Sequence, residues 1–249
     1  VSMIYKHMAI SDLLGKLQSI NNSNLIDVFV PSQGRYVKFR QLSVRQQKDL
    51  IKTGLDGALA GATIANAFNA IIQENAAERV AFDVFDRAPI VLGLRVQSFG
   101  STYADGEKTW DLATITQRTL QYNVPTAVTI QHEDVIQVQA SVPTLERDTN
   151  INQSLITQIK KTQDMGIGDA VGSLYVYELV KFVDAVTVAG DVVDFSKCSA
   201  ADALRVVESL PAKLLVELVE FIQKFRSQEV EYLTIDGATL ALDARMFAQ

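Results

Sequence analysis

Apolar residues recur at Ile10, Leu13, Leu14, Leu17 and Ile20, the spacing of one helix face, until Asn21, Asn22, Ser23 and Asn24 break the run with turn-favouring side chains. This predicts a short amphipathic opening helix. From Leu25 to Phe39 the pattern changes to strand-like alternation around Pro31-Ser32-Gln33-Gly34, where proline fixes φ and glycine permits reversal. A β-hairpin is expected there. Ser43 stands three residues before Gln46, the capping-box spacing in which each side chain satisfies a free backbone N–H, so a helix should begin at Val44 and stop near Gly54 or Gly57. A second helix, Ala58 to Ile72, follows with Ile64, Ala65, Phe68, Ile71 and Ile72 on one face.

Between Ala81 and Phe99 apolar residues are nearly continuous, and Pro89 is tolerated only in a first helical turn, which predicts a helix capped by Asp86 with Ile90, Val91 and Leu94 facing the core. Tyr103 to Lys108 reads as a polar loop turning at Asp105-Gly106. The β-branched runs Thr126–Gln131 and Val135–Val142, parted by His132-Glu133-Asp134, predict two antiparallel strands. The polar stretch Pro143 to Gln153 reads as a boundary between lobes. Beyond it Val171, Leu174, Tyr175, Glu178, Leu179 and Phe182 trace a helix, and Val186–Val188 with Val192–Val193 a hairpin around Gly190-Asp191. Ser199 should start a helix carrying Ala203, Val206, Val207 and Leu210. Pro211 should open another with Leu214, Leu215, Leu218, Phe221, Ile222 and Phe225. The end alternates around Asp236-Gly237, a type I′ hairpin signal, and closes on Met246-Phe247, expected to dock.

These elements make an α+β protein of short antiparallel hairpins packed with amphipathic helices. It is read as two lobes: residues 1–150, a mixed N-terminal lobe, and 151–249, a helix-rich lobe ending in a hairpin. With 48% hydrophobic and 21% charged residues among 249, a substantial core is available. The balance of 23 basic against 29 acidic residues, without a dense basic cluster, argues against direct nucleic-acid binding. Asp12 and Lys16 interrupt the only N-terminal stretch that could serve as a signal, which predicts a cytoplasmic chain. Asn66 and Asn69 interrupt the run at Ala58–Ile72, which at about 15 residues is short for a membrane span.

Candidate chemistry is sparse. Gly57 and Gly61 lack the lysine of a phosphate loop, and Gly166-Ile167-Gly168 lacks the third glycine of a dinucleotide site. His132-Glu133 opens like a zinc-protease helix, but Ile136 stands where the second histidine belongs, and the other histidine is His7. Cys198 can form neither an internal disulfide nor a four-ligand zinc site by itself. The carboxylate pairs Glu133/Asp134, Asp105/Glu107 and Asp83/Asp86 remain available for acid–base work. No cofactor or metal is expected, and no enzyme activity.

The run Asp27 to Leu50, a strand, a Pro31-Ser32 turn, a basic strand ending at Phe39, then Leu42-Ser43 and a helix carrying Gln47 and Lys48, resembles the N-terminal signature of the baseplate hub family of T-even-like contractile-tailed phages. Asp86 to Gly100, with Asp86 and Arg95 bracketing an apolar run, and Asp194 to Leu218, with Leu210-Pro211, are similar to that family as well. The resemblance implies a part in building the hub at the centre of the tail baseplate, as a chaperone-like assembly factor or a retained subunit. It implies other hub proteins as partners, with an oligomer compatible, and residence in the host cytoplasm during assembly or in the virion tail. A structural tail protein or a small tail-associated hydrolase is the alternative, the latter requiring a pocket that gathers His132, Glu133 and Asp134.

Overall fold

The computed structural model describes residues 10–53, 60–106, 108–118, 127–161 and 167–248. The expected caps at Gly54 and Gly57, the start of the Ala58 helix, His7, Glu107, Thr126 and Gly166 lie outside the described residues. The opening helix is α1 (Ile10–Ser23), which continues through Asn21, Asn22 and Ser23, where the pattern is expected to break, and stops at Asn24. The first hairpin is β1 (Leu25–Val30) with β2 (Arg35–Arg40), paired from Leu25↔Arg40 to Val30↔Arg35. A strand's period of two turns Ile26, Val28 and Val30 inward with Val37 and Phe39, all buried. Between the strands Pro31–Gln33 form one 3-10 turn, and Gly34 closes it at φ +61°, a backbone that favours glycine.

Helix α2 (Val44–Thr53) begins with the expected capping box: Gln46 N–H donates to Ser43 Oγ at 3.2 Å, and Ser43 N–H donates to Gln46 Oε1 at 3.0 Å. Helix α3 (Ala60–Asn75) buries Phe68, Ile71 and Ile72. Helix α4 (Arg87–Phe99) carries Pro89 in its first turn and buries Ile90, Val91 and Leu94, as its pattern predicts. Asp86 precedes it without capping it through the side chain, because that carboxylate is engaged elsewhere. Strand β1 crosses α4 at Gly93, where an added Cβ would lie 2.9 Å from Val28 Cγ1.

The expected loop at Tyr103–Lys108 is instead a hairpin, β3 (Thr102–Asp105) with β4 (Lys108–Asp111). Tyr103 and Trp110 face each other across it, both buried. Burial of this aromatic pair holds a segment whose other residues, Ala104 apart, are polar. Asp111 then caps α5 (Leu112–Gln117), accepting from Ala113 N–H at 3.1 Å.

The main sheet has four antiparallel strands in the order β5 (Val128–His132), β6 (Ile136–Ala140), β7 (Val183–Val188), β8 (Asp191–Asp194). Helices α6 (Leu145–Lys161) and α7 (Ile167–Phe182) are inserted between β6 and β7. The polar stretch Pro143–Gln153 is therefore mostly helix. Its buried face, Leu145, Asp148, Ile151, Asn152 and Leu155, keeps helical spacing but is partly polar, which hides the stripe from a hydrophobicity reading. Position 150 falls inside α6, and Gln137 of β6 pairs with Thr187 of β7 across it. A continuous apolar core runs from Ile26 to Phe247.

Among the described side chains of α7 the buried ones are Tyr177, Leu179, Val180, Lys181 and Phe182, whereas Leu174 and Tyr175 of the expected stripe are exposed and the Val171 side chain lies outside those described. The hairpin after it turns at Ala189-Gly190, both at positive φ, one residue earlier than expected. Ser199 caps α8 (Ala200–Glu208), accepting from Asp202 N–H at 3.2 Å. Helix α9 (Ala212–Leu233) follows Pro211 and buries Leu214, Leu218, Phe221, Ile222 and Phe225. Asp236-Gly237 joins β9 (Thr234–Ile235) to β10 (Ala238–Thr239), both turn residues having positive φ. Met246 and Phe247 are buried, with Phe247 packed on Phe68 and Phe99 at ring separations of 6.0 and 6.3 Å.

Candidate functional site

The apolar stripe of α1 faces solvent: Ile10 is 78% exposed, Leu13 47%, Leu14 54%, Leu17 48% and Ile20 53%. Leaving such a side chain in water forgoes roughly 1.5–3 kcal/mol apiece, and a contiguous exposed patch of this kind marks an interaction surface. The helix ends where Ser23 Oγ donates to the Ile20 carbonyl at 2.8 Å and Asn24 N–H joins it at 3.1 Å. A protein contact is what this surface can make.

The residues singled out in sequence lie elsewhere, in the body built from the first hairpin, α2, α4 and the C-terminus. Ser32 donates twice to Asp86, from its N–H at 2.9 Å and its hydroxyl at 2.5 Å, and Asp83 N–H donates to the same carboxylate at 2.8 Å. Burial pushes the Asp86 carboxyl up while these bonds pull it down, the net being upward. Burial, and then the Asp86 charge, raise Asp83 to about 6. Pro31 opens the turn that presents Ser32. Phe39 is fully buried against Phe82, ring centroids 5.7 Å apart, and Leu42 N–H donates to Ser98 Oγ at 3.4 Å.

Gln47 reaches across the chain, its Nε2 donating to the Phe247 carbonyl at 2.7 Å. Arg95, 1% exposed, donates to the carbonyls of Met246 at 2.5 Å and Gly100 at 2.8 Å and stacks over Phe99. Ser43 serves the α2 cap, Pro211 precedes α9, and Lys48 is exposed on α2. Six of these residues, Ser32, Phe39, Leu42, Gln47, Asp86 and Arg95, thus fasten hairpin, helices and C-terminus together.

A buried ionic cluster lies among α3, α4, α6 and α7. Asp148 Oδ2 accepts from Arg87, Asn69 at 3.0 Å and Asn152 at 3.2 Å, and its Oδ1 lies 3.0 Å from Lys181 Nζ. Burial would raise the Asp148 carboxyl, but the Arg87 and Lys181 charges outweigh it and hold it below the ordinary value. Lys181 also donates to Glu178, which binds Arg226 at 2.7 Å. The one available signal for this cluster was the helical spacing of Asp148 and Asn152 among Leu145, Ile151 and Leu155.

His132, Glu133 and Asp134 stand on the β5–β6 turn, where Glu133 and Asp134 take positive φ and are exposed. No cavity among the described residues gathers the three. The groove of about 500 Å³ between α6, β7 and α8 is lined by Arg147, Ile151, Phe195 and Cys198. Arg147 there is bound to Asp184 at 3.0 Å and to the carbonyls of Val180 and Val183, ending α7 rather than reaching for a ligand. Cys198 Sγ contacts the Asp194 carbonyl at 3.3 Å. Among the described residues no group of three His, Cys, Asp or Glu could hold a metal ion, and no helix is long and apolar enough to cross a membrane.

Comparison with known families finds a match to the model of the T4 bacteriophage base plate protein over residues 23–233, so α1 and the terminal hairpin and tail flank the matched region. No curated protein and no solved structure matches the chain.

Proposed function

The chain belongs to the T4 bacteriophage base plate protein family, a baseplate-associated structural or assembly protein, and from that premise we propose that it takes part in forming the baseplate hub. It acts through surfaces, as a chaperone-like assembly factor or a retained subunit, with other baseplate proteins as its partners. The observation that carries this reading is the solvent-facing stripe of α1, five large aliphatic residues left exposed by the described residues. The body of the chain supports the same reading, since the long-range ties of Ser32, Gln47 and Arg95 serve rigidity.

The test is mass spectrometry of purified virions alongside affinity capture of a tagged chain from infected cells. Hub proteins recovered in the lysate, with the chain absent from virions, mark an assembly factor. A defined stoichiometry in virions marks a retained subunit, and a chain found neither in virions nor with hub proteins in the lysate refutes the proposal. His132→Ala is expected to leave assembly unchanged, and loss of assembly with an intact fold would make the β5–β6 turn a chemical site.

A further inference from the structure

We infer that α1 pairs with α1 of a second copy of this chain, as an antiparallel two-fold contact. The inference rests on the reading of α1 as a contact surface and names its occupant. The stripe Ile10-x-x-Leu13-x-x-x-Leu17-x-x-Ile20 reads the same in both directions about Gly15. A two-fold contact requires such self-complementarity, because residue i meets j of the other copy and j meets i. In the antiparallel register Ile10 meets Ile20 of the second copy and Leu13 meets Leu17, so branched residues meet branched and leucine meets leucine. The three-four-three spacing is the seam of a helix pair, with Leu14 widening it on one side.

The polar face argues for a protein occupant over a lipid surface. It carries Asp12 and Lys16, one charge of each sign, where a helix lying on an anionic membrane is rich in Lys and Arg. The size of the contact sets its strength. At roughly 100 Å² from each of five exposed side chains, two copies bury about 1,000 Å² in all, just under the roughly 1,200–2,000 Å² of a standard stable interface. The dimer is therefore weak and reversible, and a partner offering a broader groove can replace the second copy during assembly.

The experiment is sedimentation of the full chain from about 1 to 100 µM, where a contact of this size should show a rising dimer fraction. Leu17→Asp is expected to weaken dimerisation at least tenfold while the melting curve stays unchanged, since the side chain it replaces is outside the core. Direction is read by disulfide cross-linking in a Cys198→Ser background. A mixture of Ile10→Cys and Ile20→Cys chains should cross-link, and Ile10→Cys alone should not. A monomer at every concentration, a dimer indifferent to Leu17→Asp, or cross-linking of Ile10→Cys alone each overturns the inference. Binding of anionic vesicles that Leu17→Asp abolishes, with no dimer, would assign the face to lipid instead. If Leu17→Asp loses hub-protein capture while the wild-type chain is monomeric, the proposed function stands and this occupant does not.

Discussion

Asp148→Asn keeps the shape of a side chain that is 3% exposed but removes the charge on which two cations depend. Arg87 and Lys181 both point at it, and taking one partner from a buried ion pair leaves uncompensated charge at a cost of about 3–5 kcal/mol. Each cation keeps a second acceptor: Asn69 Oδ1 lies 2.8 Å from Arg87 Nε, and Glu178 Oε1 lies 2.5 Å from Lys181 Nζ. The new amide also turns a donor toward groups that only donate. The expected loss is therefore about 3 kcal/mol, the lower end of that range.

Urea unfolding followed by far-ultraviolet dichroism reads it directly: at a slope of about 3 kcal/mol/M the midpoint falls by about 1 M. The double variant Asp148→Leu/Lys181→Met should lose less than the sum of its parts, because neutral groups then replace the pair. The acid dependence has a fixed sign. Asp148 is held below its ordinary value of 3.8, so its stabilisation is complete above that pH and is lost as the pH falls through the lower folded value. A midpoint shift under about 0.3 M, worth 1 kcal/mol at that slope, would refute the reasoning.

Asp83, raised to about 6, holds its proton more tightly in the folded chain, so stability should fall as the pH rises from 3.8 to 6. Asp83→Asn should remove that slope and, after allowance for the partial exposure of the group, gain about 1 kcal/mol at pH 7 in the same urea titration. Gly93→Ala should cost about 1–3 kcal/mol, because the new methyl meets Val28 at 2.9 Å, and Val28→Ala in the same chain should recover part of the loss. Phe39→Asp and Leu218→Asp each place an unpaired charge at a buried site and should abolish cooperative thermal melting. Soluble variants melting as the wild type would remove those residues from the core.

Elements whose signal is local can be read straight from the order of residues. The Ser43–Gln46 cap, the turn at Pro31–Gly34, the Asp236-Gly237 hairpin and the stripes of α1 and α9 depend on neighbours within one turn or one strand pair, and each lies where its pattern placed it. Where burial comes from distant partners, the pattern along the chain does not show it. Tyr103 and Trp110 make a hairpin of a largely polar segment because the face they share is buried in the core. Asp148 and Asn152 are buried because Arg87, Lys181 and Asn69 come to them from three other helices. Ser32 and Asp86, 54 residues apart, were visible singly, but their bond needed the hairpin laid across α4. The stripe on α1 shows the same limit from the other side: spacing declares an apolar face, and only the packing of the whole chain decides whether that face is covered or left for another molecule.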